Sequence, residues 1–343
     1  MLIEWLVPLI TDEISTLKTS NLASIRLRAA VGATAANESG YINQFPDGYA
    51  AQSPQVIIVG KIDNSSDTSR AERWINRLTS QKSNVKIIID YTDHHLARNT
   101  ENARFYRAAL DLCDHVVCSS RMLVQNLAPY YNGPTSIIED PIEVPILAPK
   151  LKKNLMPTAL WFGHASNLPY LIDFLCNGYN YSDPARLIAM TNLYPLPEEL
   201  TTILNRPNLD NLEINVVPWS RDDMIQAAHL ADMCWIPAGV TDPLKSGASS
   251  NRLLTALALG LPTAADPLDS YLSFSNIYMN LRSNEIMHAI KNPEPLFEKV
   301  KIAQQMISKN YTDKSINKKW ASMIEETAQK ITSFLNHKYE AHI

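Results

Sequence analysis

The feature that most constrains this chain is the recurrence, in both halves, of short runs of aliphatic residues separated by longer stretches with helical spacing. In the first half the runs are VIIVGK (Val56 to Lys61), VKIIID (Val85 to Asp90) and HVVCSS (His115 to Ser120). In the second they are TALWF (Thr158 to Phe162), ARLIAMTN (Ala185 to Asn192), EINVVPW (Glu213 to Trp219) and the run through Met233 to Pro237. Runs that are apolar on consecutive positions suit strands covered on both faces, as in parallel sheets. Stretches such as SRAERWINRLTSQ (Ser69 to Gln81) and SRDDMIQAAHLAD (Ser220 to Asp232) supply amphipathic or capped helices between them. This alternation predicts an α/β protein made of two Rossmann-like doubly wound domains.

A chain of 343 residues exceeds one average domain. The stiff run holding Pro141, Pro145 and Pro149 divides it, giving an N-terminal domain over 1–150 and a second over 151–310. The segment 311–343 reads as a terminal helix packing across the domains, with Ile316, Trp320, Met323, Ile324, Ile331, Phe334 and Leu335 on one stripe. The net charge of −4 offers no general attraction to nucleic acid, so none is expected as a partner. Four cysteines without metal-finger spacing point to reduced thiols and a cytoplasmic protein. The apolar start, MLIEWLVPLI, is broken by Glu4 and Pro8 and reads as a first strand, not a leader. No apolar run is long enough to span a bilayer, which leaves at most peripheral contact with the inner membrane face.

The stretch from Asp242 to Ala265 holds the densest chemistry. Ser249 or Ser250 can cap a helix that Gly260 ends and Pro262 forbids from continuing. The free N–H groups at its start, joined by Lys245, Ser246, Ser249, Ser250, Asn251 and Arg252, make an anion site suited to phosphate. A Ser-rich helix start with nearby cations is also a common solvated surface. The flanking apolar runs place this one at a strand's carboxyl end, where ligands bind in open α/β sheets.

A second cluster, Asp90, Asp93, His94 and His95, follows the central run of the first half. A general base for a substrate hydroxyl, a metal site, or a simple helix cap with surface histidines all fit it. Two carboxylates are few for a hard cation, and no metal is expected. Arg26 and Arg28, near the start of the helical stretch Leu22 to Asn37, suit either an anionic substrate in a cleft or a solvated helix face.

The order of these pieces resembles the nucleotide-sugar glycosyltransferases of the GT-B fold, in particular the large group close to family 4. The resemblance runs through SIRLR, DYTDHHL, CDHVVCSSRML and the strand, Gly163 and helix that open the second half. It is strongest in HLADMCWIP, KSGASSNRLLTALALGLPTAA and the tail from Tyr311 to Trp320. It implies a C-terminal helix that crosses back to the first domain and a nucleotide-sugar donor in the second domain. Lys245 and Arg252, with Ser246, Ser249, Ser250 and Asn251, would neutralise the diphosphate in place of a metal. Val217, Pro218 and Trp219 would flank the base, and Gly163, Ser166 and Asn167 would approach the phosphates. Asp90, Asp93 or His94 would serve the acceptor, with Arg26 and Arg28 on its side. That acceptor would be a glycan, a lipid-linked molecule or another hydroxyl compound, and no cofactor beyond the donor is implied.

Where the family commonly has a Glu for the ribose hydroxyls, this chain has Thr255, and Gly247 replaces the companion acid. That departure keeps two rivals in view: a binding or scaffolding protein that has lost the chemistry, and a nucleotide-sugar epimerase of the same fold. A dehydrogenase is disfavoured because no strand is followed by GxGxxG, and the missing GxxxxGK[ST] argues against a P-loop nucleotidase.

Overall fold

A computed structural model describes residues 1–49, 51–62, 67, 69–150, 156–179, 185–192, 211–283, 285–289 and 292–340, the side chains of 288 and 332–340 excepted. The chain forms two compact units. One comprises Met1–Pro141, Ser246–Ser249 and Tyr311–Ile343, the other Ile142–Lys245 and Ser250–Asn310.

In the first unit, β1 (Leu2–Leu6), β2 (Ile42–Gln44), β3 (Val56–Val59), β4 (Lys86–Tyr91), β5 (His115–Cys118) and β6 (Thr135–Ile137) lie in the order β2-β1-β3-β4-β5-β6. Every described pairing in this sheet is parallel, with β3 and β4 in register from Val56↔Lys86 to Val59↔Ile89. The apolar runs are covered on both faces, so all four residues of β3 are buried. Strand order reverses between β1 and β3, which puts the carboxyl ends of these two strands at the switch point. Lys61 stands just beyond β3 there.

The helical stretch after β1 opens with a π-helical turn, Ile25–Ala29, and continues as α1 (Ala30–Glu38). The helices α2 (Arg70–Gln81), α3 (Glu101–Leu112) and α4 (Arg121–Leu127) follow β3, β4 and β5. Ser120 caps α4, its hydroxyl accepting from Leu123 N–H at 3.2 Å.

The second unit holds β7 (Thr158–Phe162), β8 (Ala185–Thr191), β9 (Leu212–Pro218), β10 (Met233–Ile236), β11 (Thr263–Ala265) and β12 (Met279–Asn280), ordered β12-β11-β10-β7-β8-β9. Its described pairings are again parallel. Counted within the unit, the spatial order is 3-2-1-4-5-6, that of dinucleotide-binding domains, with the switch point between β7 and β10. The helices α5 (Leu168–Asp173), α6 (Arg221–Leu230), α7 (Asn251–Ala258) and α8 (Glu294–Asn310) also belong to this unit, with a short helix at Glu285–Ala289. Ser220 caps α6 by accepting from Asp223 N–H at 3.0 Å.

The terminal helix α9 (Asp313–Glu340) belongs to the first unit, as a helix crossing back to that domain requires. Ile316, Trp320, Met323 and Ile324 are buried on it, and Ile331 packs at the margin. Phe334 and Leu335 of the expected stripe lie outside the described side chains. Trp320 meets Trp5 of β1 edge-on at a centroid distance of 5.7 Å. Removing a tryptophan of this size from water contributes about 4–6 kcal/mol as an upper value, enough to hold the helix down.

Candidate nucleotide-sugar site

In the second unit the first β-α turn sits at the switch point. Gly163 follows β7, and its N–H donates to Met190 O at 3.0 Å. His164 Nδ1 accepts from Ser166 N–H at 3.2 Å, and Asn192 Oδ1 accepts from Ala165 N–H at 2.8 Å. These bonds fix the short 3₁₀ turn Ala165–Asn167 against the ends of β7 and β8. Trp219 N–H donates to Thr191 O at 2.9 Å, which places Pro218 and Trp219 at the carboxyl end of β9. Gly163, Ser166, Asn167, Pro218 and Trp219 therefore share one edge of the sheet.

Arg252 joins them from the start of α7. Its Nε donates to Phe162 O at 3.0 Å, and its guanidinium lies 5.7 Å from the centroid of the Trp161 ring. A Cβ on residue 163 would stand 3.2 Å from Trp161 Cζ2 and 3.4 Å from Arg252 Cζ, so the glycine keeps the guanidinium's bed open. Burial pulls the Arg252 pKa below its ordinary value, with Tyr271 and Cys234 opposing weakly. An arginine nevertheless keeps its charge at any working pH. Among the described residues, its Nη2 is buried without a hydrogen-bond partner and no carboxylate pairs with it. A buried cation left in this state is costly unless an anion arrives.

The loop before α7 is ordered by Asp242, whose Oδ1 accepts from Leu244 N–H at 3.0 Å and whose Oδ2 accepts from Tyr170 O–H at 2.8 Å. Lys245 N–H donates to Asp242 O at 2.9 Å, and its ammonium stands 6.0 Å from the Tyr170 ring centroid. Ser250 is the N-cap of α7 and makes no side-chain capping bond; Asn251 is the first helical residue.

Three expectations are corrected here. Thr255 is buried at 2% exposure, with its hydroxyl toward Asn251 Oδ1 at 3.4 Å, because α7 is enclosed from Leu253 onward. It is therefore not presented to a ribose. Ser246 and Ser249, expected within the second domain, group with the first unit. There Asn126 Nδ2 donates to Ser246 O and Oγ at 3.1 Å each, and Asp140 takes a hydrogen bond from Ser249.

The first unit supplies the third correction. Arg28 is neither on a solvated face nor open to an acceptor. The π turn, with its wider i to i+5 spacing, accompanies an inward Arg28 at 2% exposure. Its Nη2 meets Asp90 Oδ1 at 2.5 Å, its Nε lies 3.1 Å from Asp90 Oδ2, and its Nη1 is 3.2 Å from Asp140 Oδ1 and donates to Ile138 O. Burial opposes the Arg28 charge, but the two carboxylates outweigh it and hold the guanidinium well above its ordinary pKa. Asp90 is thereby taken up by the fold and is not placed to act as a base. Arg26 is half-buried, donating from Nη1 to Ser20 O at 2.5 Å.

Asp93 does not cap a helix; it pairs with Lys61 at the switch point. His94 Nδ1 lies 3.3 Å from the Tyr91 hydroxyl, which is fully buried and already accepts from Leu96 N–H at 3.2 Å. The phenol proton then has His94 Nδ1 as its acceptor among the described residues, which assigns the histidine's own proton to Nε2. Burial lowers the His94 pKa, so the ring is neutral at neutral pH and offers a donor, not a base, at Nε2. His95 stacks on Tyr106 at 4.9 Å.

Sequence reasoning missed Trp161, Tyr170, Asp242, Lys61, Tyr91 and Asp140. Only Asp242 left a local signal, an Asx turn two residues before Leu244. The others act across distances in sequence that no short motif records.

No protein-family model matches the chain, and no curated protein matches it by sequence. Solved structures do. The chain is similar to Anabaena HepE in complex with UDP-glucose, at 14% identity and a TM-score of 0.65, over 95% of this chain and 100% of that one. It is similar to the lipopolysaccharide outer core galactosyltransferase WaaB in its apo form, at 12% identity and a TM-score of 0.58, covering 95% and 99%. An alpha-glucosyltransferase in complex with UDP and a 13-mer DNA with a central A:G mismatch aligns at 10% identity and a TM-score of 0.55, covering 95% and 98%. With its two parallel six-stranded sheets, the chain has the α/β fold of the GT-B glycosyltransferases.

Proposed function

We propose that this protein is a glycosyltransferase, close in kind to family 4, that moves a sugar from a nucleotide-sugar donor to a hydroxyl acceptor without a catalytic metal. The observation that carries the reading is Arg252: a buried guanidinium beside Gly163, at the switch point of a dinucleotide-type sheet, with no carboxylate among the described residues. In transfer, the bond between the anomeric carbon and the diphosphate oxygen breaks and a bond to the acceptor oxygen forms. The acceptor hydroxyl gives up its proton. Negative charge grows on the leaving diphosphate, where a preorganised cation in a dry site is most effective. Arg252 supplies that charge, with Lys245 and the uncapped start of α7 in support. Gly163, Ser166, Asn167 and Asn251 line the phosphates, and Pro218 and Trp219 face the base. In the first unit, Asp93 is the candidate for taking the acceptor proton, and His94 offers a donor at Nε2. The acceptor is a glycan or lipid-linked hydroxyl compound.

Titration calorimetry with UDP, the nucleotide present in the HepE and alpha-glucosyltransferase complexes, tests this directly. Arg252→Ala should weaken UDP binding by roughly 30- to 1000-fold, about 2–4 kcal/mol. Arg252→Lys should recover only part of it, since a point charge does not replace a planar fork. Turnover with UDP-sugars should survive chelation. Equal UDP affinity in parent and Arg252→Ala would remove the donor site from this edge, and tight UDP binding with no transfer or donor turnover would favour the scaffold.

A further inference from the structure

We propose a second ligand site, on the outer face of α2 in the first unit, that binds a neutral, polyhydroxylated ligand such as an oligosaccharide. A shallow, open depression of about 580 Å³ lies there, the kind of surface on which one face of a ligand can rest. Tyr49, Arg73, Asn76, Arg77 and Ser80 are among its lining residues.

The groove is built rigidly. The turn after β2 places Asp47 at φ 49° and Gly48 at φ 80°, a left-handed pair. For the non-glycine residue such a conformation costs of order 1–3 kcal/mol unless its surroundings fix it. They do: the Asp47 carboxylate accepts from Arg70 Nε at 3.1 Å, Arg73 Nη2 at 3.0 Å and Trp74 Nε1 at 2.8 Å. Gly48 packs so closely on the Trp74 indole that a Cβ would lie 2.7 Å from its Cδ1. The result is that Tyr49 is held out at 51% exposure, with the Arg73 guanidinium 4.4 Å from its ring centroid. One side of a flat ring is thus backed by a fixed cation.

Charge decides the ligand class. Each arginine is already met from behind: Arg70 and Arg73 by Asp47, Arg73 also by Asp67 at 2.9 Å, and Arg77 by Glu4 at 2.6 Å. Glu72, also on the groove, adds a negative charge. Three guanidiniums facing three carboxylates leave no positive excess to hold a phosphate or sulfate. What remains around one exposed aromatic ring is the Asn76 amide, which can give and take hydrogen bonds, beside the Ser69 and Ser80 hydroxyls, whose protons go to Asp67 Oδ1 and Arg77 O and which offer lone pairs as acceptors. That combination suits sugar rings, whose C–H faces lie on aromatics and whose hydroxyls both give and take hydrogen bonds.

The site does not depend on the nucleotide-sugar reading, and the experiment keeps the two apart. Saturation-transfer NMR with maltohexaose, cellohexaose and chitohexaose, followed by titration, is run on the full chain and on Tyr49→Ala, Asn76→Ala and Arg252→Ala. At least one oligosaccharide should show transfer at about 10 mM or below, with affinity falling roughly tenfold in Tyr49→Ala and a few-fold in Asn76→Ala. Tyr49→Ala should leave UDP binding intact, and Arg252→Ala should leave oligosaccharide binding intact while losing UDP. No transfer from any of the three sugars overturns the proposal. So does transfer that Tyr49→Ala does not weaken, or binding of dextran sulfate that Tyr49→Ala abolishes.

Discussion

Both units bury an arginine near the carboxyl ends of their strands, and they treat it in opposite ways. Arg28 in the first unit is enclosed by Asp90 and Asp140, while Arg252 in the second has a backbone carbonyl, an indole face and no carboxylate among the described residues. Burial costs both charges, yet the pKa of Arg28 ends above its ordinary value and that of Arg252 below. A charge matched inside the fold serves the fold. Under the proposed function, one left unmatched in the fold serves a ligand instead. Arginine at a strand end is therefore not in itself a sign of a ligand, and the sequence, which grouped Arg26, Arg28 and Arg252 as candidate contacts, had no means of making the distinction.

The sharpest break of this contrast is thermodynamic. Arg28→Met should destabilise the protein by about 3–5 kcal/mol in urea unfolding, because it strands Asp90 without its cation. Arg252→Met should cost only about 1 kcal/mol, since among the described residues no buried charge is orphaned and only the Phe162 carbonyl loses a donor. Similar losses in both variants would mean that Arg252 is structural too. Next in size comes the affinity test, in which Arg252→Ala lowers UDP binding by about 2–4 kcal/mol.

A smaller comparison lies within the second unit. Ser220 caps α6 through a bond to Asp223 N–H, whereas Ser250 at the start of α7 makes none. Ser220→Ala should cost about 1 kcal/mol of stability and Ser250→Ala less than about 0.5 kcal/mol, measured by the same unfolding curves. Equal costs would show that α7 is capped like any other helix and not held open.

The least effect expected is on pH dependence. His94 has its folded pKa depressed by burial, so the unfolded chain binds its proton more readily than the folded one does. Its influence is absent above its ordinary value of 6.5 and turns destabilising as pH falls from there toward the folded value. Thermal midpoints measured downward from neutral pH should fall less steeply in His94→Gln than in the parent. His115, whose pKa burial also lowers, will keep part of the slope in both.

What could be read from the sequence was local. Strand runs such as VIIV and the cap at Ser220 are decided by neighbours within a few residues, and they stand where the pattern put them. The strand alternation likewise sufficed for the fold. Arg28 was misread because its fate depends on Asp90 and Asp140, which lie 62 and 112 residues away, and on a π turn that a 3.6-residue period does not anticipate. The bond from Arg252 to Phe162 spans 90 residues and was equally hidden. Thr255 was a different failure. The run LLTALALGL is apolar on every side, which already says that the helix is enclosed and that a hydroxyl within it faces protein.

The contact between Trp5 and Trp320 has a consequence for the protein's birth. The first strand must wait for a partner made roughly 300 residues later, and at about 5–20 residues per second the ribosome takes some 15–60 seconds to deliver it. Through that interval the surface that Trp320 will cover on Trp5 and at Gly32 stays bare. A nascent chain of this kind is a client for chaperones that shield apolar surface, and a stop codon anywhere before α9 would send an otherwise finished pair of sheets to the proteases.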